Sequence, residues 1–164
     1  MSEIKVDYKI EENFLDKEAF KFMREQFLGQ SVPWFYQTNV VEEDVDNDFY
    51  LAHQIYSAQT WHSNVQLVAP LLEALDVKAL VRIKANLYPR SENLIVHKNH
   101  VDAKFSHTSA LLYINTCNGY TQLEDGTKIE SVANRLLIID GSKPHCSTNC
   151  TDEPARVNVG VNFF

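Results

Sequence analysis

Cysteine is scarce in this chain of 164 residues, and Cys117, Cys146 and Cys150 form no C-x-x-C pair. A disulfide framework is therefore not expected, and a reducing compartment suits the chain better. Glycine and proline number five each, few for a chain rich in strands, so turns must draw on Asn and Asp as well. A basic excess is also missing. Fifteen Lys and Arg against 22 Asp and Glu leave a net charge of -7, the wrong sign for a domain that holds nucleic acid by neutralising phosphates. No apolar run approaches the ~20 residues of a membrane span, and the first ten residues, MSEIKVDYKI, lack the apolar stretch of a signal peptide. The expectation is a cytoplasmic protein without a membrane anchor. What the chain does have is 45% hydrophobic residues, with nine Phe, seven Tyr and two Trp. That is enough for one well-filled core, and the length suits one domain over residues 1–164.

Two helices are expected in the N-terminal half. Asp16 is placed to cap a helix over Lys17 to Leu28, where Ala19, Phe20, Met23 and Phe27 recur at helical spacing and Gly29 offers a stop. A second helix is expected after Ser63, with Val65, Val68, Leu71, Leu72 and Leu75 on one stripe, kinked or split at Pro70. The acidic run Glu42 to Asp48 reads as a solvated loop. From Lys78 onward the period changes to two. Strands are expected at Ala79 to Leu87, Leu94 to His97, Ser109 to Ile114, Tyr120 to Glu124, Thr127 to Glu130, Arg135 to Ile139 and Arg156 to Phe163. Asp125-Gly126 is a tight-turn signal that joins two of them. The fold class that follows is mainly β with N-terminal helices (α+β), a jelly roll whose helices buttress one sheet. Its helical part would occupy about 1–77 and its β core about 78–164.

His100-Val101-Asp102 sets an imidazole and a carboxylate two residues apart, so on extended backbone both project to one side and can grip one ion. Six His and ten Asp in 164 residues would yield roughly 0.4 such triplets by chance, so the triplet alone decides nothing. His145, beyond the strand ending at Ile139, is a candidate third ligand of a two-His-one-carboxylate triad, which leaves three positions of an iron(II) ion open. Arg156 starts the last strand, where a guanidinium can clamp a distal carboxylate. Other readings stay open from the residues alone. His97 with His100 forms an alternative pair, and Cys146 and Cys150 follow His145 closely enough to raise a zinc site. A jelly roll that only binds metal or a partner protein is a further class.

These residues resemble the iron(II)- and 2-oxoglutarate-dependent dioxygenases, and among them the prolyl-4-hydroxylase-like branch of small phage and bacterial type. The likeness runs from about Arg82 to Phe164, through Asn86-Leu87-Tyr88-Pro89, His100-Val101-Asp102, the segment Ala110 to Asn115, Asn118-Gly119-Tyr120-Thr121, Val132 to Ile138, His145 and RVNVGVNFF from Arg156. The resemblance implies a double-stranded β-helix fold, iron(II) on His100, Asp102 and His145 as the catalytic centre, and 2-oxoglutarate and O2 as co-substrates. It implies that Arg156 pairs with the far carboxylate of 2-oxoglutarate, that Tyr113 donates to the same group, and that Tyr88 lines the pocket. Asn158 stands where the family often has Ser, Thr or Ala.

The interval between His100 and His145 holds 44 residues, short of the insert common in taurine-dioxygenase-like enzymes. Arg156 is the last arginine, whereas the DNA-repair demethylases carry a second one soon after. The implied activity is hydroxylation of a peptidyl substrate, prolyl by resemblance, or of a small molecule, with release of succinate and CO2. The net charge and the acidic loop would suit a basic or neutral peptide better than a nucleic acid. Tyr88 and Trp34 to Tyr36 are expected near the entrance as an aromatic wall.

Overall fold

The protein is described here from a computed structural model covering residues 7–38 and 49–164. The acidic run Glu42 to Asp48 lies outside the described residues. In chain order the elements are β1 (Tyr8–Glu11), α1 (Lys17–Leu28), β2 (Phe35–Gln37), β3 (Tyr50–Ser57), β4 (Thr60–Trp61), α2 (Ala69–Leu75), β5 (Leu80–Pro89), β6 (Thr108–Tyr113), β7 (Tyr120–Leu123), β8 (Lys128–Glu130), β9 (Leu136–Asp140), β10 (His145–Ser147) and β11 (Ala155–Phe163). One sheet has eight strands in the order β1-β9-β6-β11-β5-β3-β2, with β4 paired to β3, and a smaller one runs β10-β7-β8. This is a jelly-roll core with two helices.

Strand parity sorts the chemistry. Along β11, Val157, Val159 and Val161 alternate with Arg156, Asn158, Gly160 and Asn162; along β5, Ile83, Ala85 and Leu87 alternate with Arg82, Lys84, Asn86 and Tyr88. The two strands pair antiparallel with Arg156 opposite Tyr88 and Gly160 opposite Lys84, so the two polar sets share one face. The apolar sets meet the helices in the main core, which includes Met23, Phe27, Leu71, Ile83, Ala85, Val157, Val159 and Val161. Burial of side chains of this size is worth about 1.5–3 kcal/mol each. The opposite face of the large sheet looks toward the small one, and Tyr113, Leu123, Ile129, Leu137 and Ile139 close one end of the gap.

Helix α1 starts where Asp16 Oδ1 accepts from the Glu18 and Ala19 amides, both at 3.0 Å. Pro70 splits the second helical stripe into a short 3-10 turn, Val65–Leu67, and α2, in whose first turn the missing proline N–H costs nothing. The Asp125-Gly126 hairpin forms between β7 and β8, with Gly126 at φ +86°. Leu94 to His97 is not a strand. It makes an isolated bridge, Val96 to Thr148, alongside β10.

The N-terminal half contributes strands that its sequence does not announce. β1 is mostly exposed, β2 holds three residues, and β3 interrupts its alternation with buried His53 and a register shift between Gln54 and Tyr56. Among the described residues no helix is long and apolar enough to cross a membrane.

Candidate active site

The H-x-D segment is an irregular edge laid against β10. His100 and His145 exchange backbone hydrogen bonds of 2.9 and 3.0 Å, and the Asp102 amide donates to the Gly141 carbonyl at 2.8 Å. These contacts turn His100, Asp102 and His145 toward one point, with their ligand atoms within 4.8 Å of one another. Asp102 Oδ1 lies 3.9 Å from His100 Nε2 and 3.8 Å from His145 Nε2. Those gaps are too long for hydrogen bonds, yet two donors each about 2.1 Å from a shared ion can stand up to about 4.2 Å apart. His145 Nδ1 donates to the Lys143 carbonyl at 2.9 Å, which leaves Nε2 with its lone pair toward Asp102. The donor set, two imidazoles and a carboxylate, therefore fits a divalent transition metal with open positions.

Asp102 is held from behind. Its Oδ2 accepts from Ser109 Oγ and Asn162 Nδ2, both at 2.9 Å, and its Oδ1 accepts from Arg82 Nη2 at 2.9 Å. Asn162 also donates to His107 Nε2 at 2.7 Å, and His107 Nδ1 donates to the Phe105 carbonyl at 2.8 Å. Burial alone would raise the Asp102 pKa. The charges of His145 and Arg82 and the hydrogen bonds from Asn162 and Ser109 outweigh it and hold the carboxyl at about 2. The His100 pKa is lowered as well, to about 4, but here burial is the main cause, followed by the positive charge of its neighbours. Both groups are thus poised as metal donors at neutral pH.

A cavity of about 620 Å³ opens on this group between the two sheets, lined on the far side by Tyr88, Thr121, Ser147 and Asn158. Arg156 stands behind that wall, fully buried. Its Nη1 donates to Ser147 Oγ at 2.6 Å and to the Thr148 carbonyl at 3.0 Å, and its Nη2 donates to Thr121 Oγ1 at 3.0 Å. Its Nε finds no partner, and no carboxylate among the described residues pairs with it. Gly119 lets the arginine lie down, since a Cβ there would collide with the Asn149 carbonyl and sit 2.6 Å from Arg156 Cδ.

Tyr113 does not line the cavity. Its hydroxyl donates to Thr121 Oγ1 at 2.8 Å and its ring lies 5.4 Å from the Arg156 guanidinium. Thr121 Oγ1 already accepts two bonds, so its own proton is left to donate into the cavity. Tyr88 is part of the wall, stacked between Tyr50 at 5.6 Å and His97 at 5.4 Å. Asn158 accepts from Asn86 Nδ2 at 3.0 Å.

Among the described residues the alternative ligand sets do not assemble. His97 is stacked on Tyr88, and Cys150 joins Cys117 and Asp152 in a separate cluster, apart from His145. Trp34 packs on the helix side of the large sheet, away from the cavity. Tyr36 is exposed and stacks on Phe49 at 5.4 Å, while Gln37 and Tyr50 reach the cavity from that edge. Arg82, Ser109, Thr121, Ser147 and Asn162 were not singled out from the sequence. The alternation of polar with apolar residues along β5 and β11 was the available signal for Arg82 and Asn162.

A jelly roll whose two sheets open on a His-Asp-His group, with a buried arginine behind the opposite wall, has the architecture of a non-haem iron oxygenase. Solved structures agree on the fold. A prolyl hydroxylase from Trichoplax adhaerens, in complex with a hypoxia inducible factor oxygen degradation domain peptide fragment, superposes with a TM-score of 0.71 at 17% identity, covering 96% of this chain and 83% of that one. A prolyl-4-hydroxylase from Pseudomonas putida gives 0.62 at 15% identity, covering 97% and 93%. The viral collagen prolyl hydroxylase of Paramecium Bursaria Chlorella virus-1 gives 0.63 at 8%, covering 94% of each chain. No protein-family model matches the sequence, and no curated protein matches it. The chain has the prolyl-4-hydroxylase-like form of the 2-oxoglutarate and iron(II) oxygenase fold.

Proposed function

We propose that residues 1–164 form one iron(II)- and 2-oxoglutarate-dependent dioxygenase domain that hydroxylates a peptidyl substrate, prolyl in type, or a small molecule. The observation that carries this reading is Arg156, a fully buried cation with no anionic partner among the described residues, across one cavity from three converging metal donors. A buried charge without a counter-charge is unfavourable by several kcal/mol, so the arrangement makes sense with a carboxylate in the cavity. Bound there, iron(II), 2-oxoglutarate and O2 supply the oxidation of a C–H bond to C–OH, with succinate and CO2 as by-products.

The chain's own part is to bind, orient and shield. His100, Asp102 and His145 hold the metal from one side. Ser109 and Asn162 fix the Asp102 carboxylate so that it presents the same oxygen. Arg156 lends its charge to the far carboxylate of 2-oxoglutarate through the Ser147 and Thr121 hydroxyls, with Tyr113 holding Thr121 in place. Leu111, Leu137 and Ile139 are among the apolar residues of the lining and serve to exclude water. A peptide substrate is supported by the Trichoplax neighbour, which was solved with one.

The test is succinate release with iron(II) and 2-oxoglutarate across proline-containing peptides, free amino acids and single-stranded oligonucleotides. Anaerobic mixing with iron(II) and 2-oxoglutarate should also give a metal-to-ligand charge-transfer band. Absence of the band with metal bound would point to a non-catalytic binding module. Turnover stimulated by oligonucleotides alone would sink the peptide and small-molecule reading.

A further inference from the structure

The cavity carries more positive charge than the proposed reaction uses. Arg82 and Lys84 on β5 and Arg156 on β11 stand on its side of the large sheet, and Asp102 is the one carboxylate among the described residues that line it. A divalent metal and a dianionic co-substrate cancel each other, so binding both leaves the excess in place. Arg82 is paired with Asp102, and Arg156 lies behind Thr121 and Ser147. Lys84 remains. Its ammonium donates to the Tyr50 hydroxyl at 3.1 Å and sits 5.2 Å from the centre of the same ring, and no carboxylate among the described residues forms an ion pair with it. It is largely buried and close enough to His100 and Asp102 for its charge to act on both. A tyrosine hydroxyl and a ring face compensate a desolvated ammonium only in part.

The strand opposite supplies a second observation. Gly160 pairs with Lys84 across the β5–β11 ladder, and a Cβ built there would meet nothing nearer than Leu111 Cδ1 at 3.6 Å. Packing within the protein does not require glycine at this place. Its effect is to keep the cavity open beside the lysine, on the lining that Gly160 and Lys84 share with Tyr50 and the metal group.

We propose that Lys84, with the Tyr50 hydroxyl beside it, anchors a carboxylate of the primary substrate, so that the substrate is an acid. This rests on the oxygenase reading and replaces the expectation of a basic or neutral peptide, because the local field of the cavity, and not the net charge of the chain, meets the ligand. The carboxylate belongs to a free amino or carboxylic acid, or to a peptide with an acidic group near the oxidised carbon.

Calorimetry decides this on protein loaded with zinc(II) and 2-oxoglutarate, which binds without turning over. The probes are matched pairs: N-acetylproline against its amide, free glutamate against glutamine, and a proline-containing peptide with a neighbouring glutamate against its glutamine version. At least one acid should bind about 30-fold tighter than its neutral partner, and which pair responds distinguishes the free acid from the peptide. In Lys84→Met the preference should vanish while 2-oxoglutarate affinity holds within about twofold. Gly160→Val, which fills that space without altering charge, should lower acid binding as well and keeps the test open should Lys84→Met fold poorly. No acid preferred over its neutral partner, a preference that survives Lys84→Met, or loss of 2-oxoglutarate binding in that variant would each overturn the proposal. Should the parent bind no 2-oxoglutarate, the oxygenase reading falls separately, and the same pairs titrated into the metal-free protein still judge Lys84.

Discussion

Arg82 holds the same Asp102 oxygen that faces both histidines, with Nη2 2.9 Å from Oδ1. The guanidinium and a metal ion therefore compete for one acceptor, and their like charges repel. Arg82→Gln should tighten divalent metal binding by about three- to tenfold, read by competition with a chromophoric chelator. Weaker binding in the variant would mean that Arg82 serves to aim the carboxylate.

Asp102→Ala removes one donor of three and should abolish iron(II) binding in direct titration. Ser109→Ala leaves all three donors and loosens one, so its affinity should fall by about tenfold. Equal affinities in the parent and Asp102→Ala would refute the metal site.

Arg156→Met separates binding from stability. Methionine removes the desolvation cost of an uncompensated cation but strips Ser147, Thr121 and the Thr148 carbonyl of their donor, so the two effects offset and the free energy of unfolding should change by no more than about 1 kcal/mol. The apparent dissociation constant for 2-oxoglutarate should rise by about 100-fold, measured through the charge-transfer band. A large loss of stability with co-substrate affinity intact would recast the arginine as a core element.

Stability of the metal-free protein should depend on pH through His100. Its pKa is about 4 in the folded protein against an ordinary 6.5, so between those values the unfolded chain binds the extra proton and folding weakens as pH falls. The loss should approach about 3 kcal/mol at pH 4. His100→Gln should flatten the profile between pH 6.5 and 4 in urea titrations. Asp102 acts further down: its stabilisation, present above the ordinary carboxyl range, is lost as pH drops toward about 2. An unaltered slope in His100→Gln would show that another group carries the effect.

The β-rich C-terminal half was legible because β5 and β11 alternate apolar with polar residues along most of their length, while β6 and β9 are short apolar runs. β10 was not, since His145-Cys146-Ser147 is three residues long and all buried, leaving no alternation to read. β1 and β2 are short edge pieces whose formation depends on a partner strand already in place. The approach of His100, Asp102 and His145 was readable from motif order, whereas the supports of Asp102 come from three separate segments, Arg82, Ser109 and Asn162. Alternation puts Arg82 and Asn162 on one face of the sheet, but no local feature marks their meeting with Ser109 at Asp102. The aromatic character of Trp34 suits an entrance wall as well as a core, and its place against the helix-side core depends on where β2 enters the sheet.

The alternation on β5 and β11 has a consequence for how such a chain tolerates change. Because the core and the cavity are the two sides of the same pair of strands, deleting or inserting one residue within either would exchange valine for arginine and glycine across the sheet. Side chains there are replaceable one at a time, but strand length is not. Room for change in length lies elsewhere, at the Asp125-Gly126 turn, where Gly126 has open space around it.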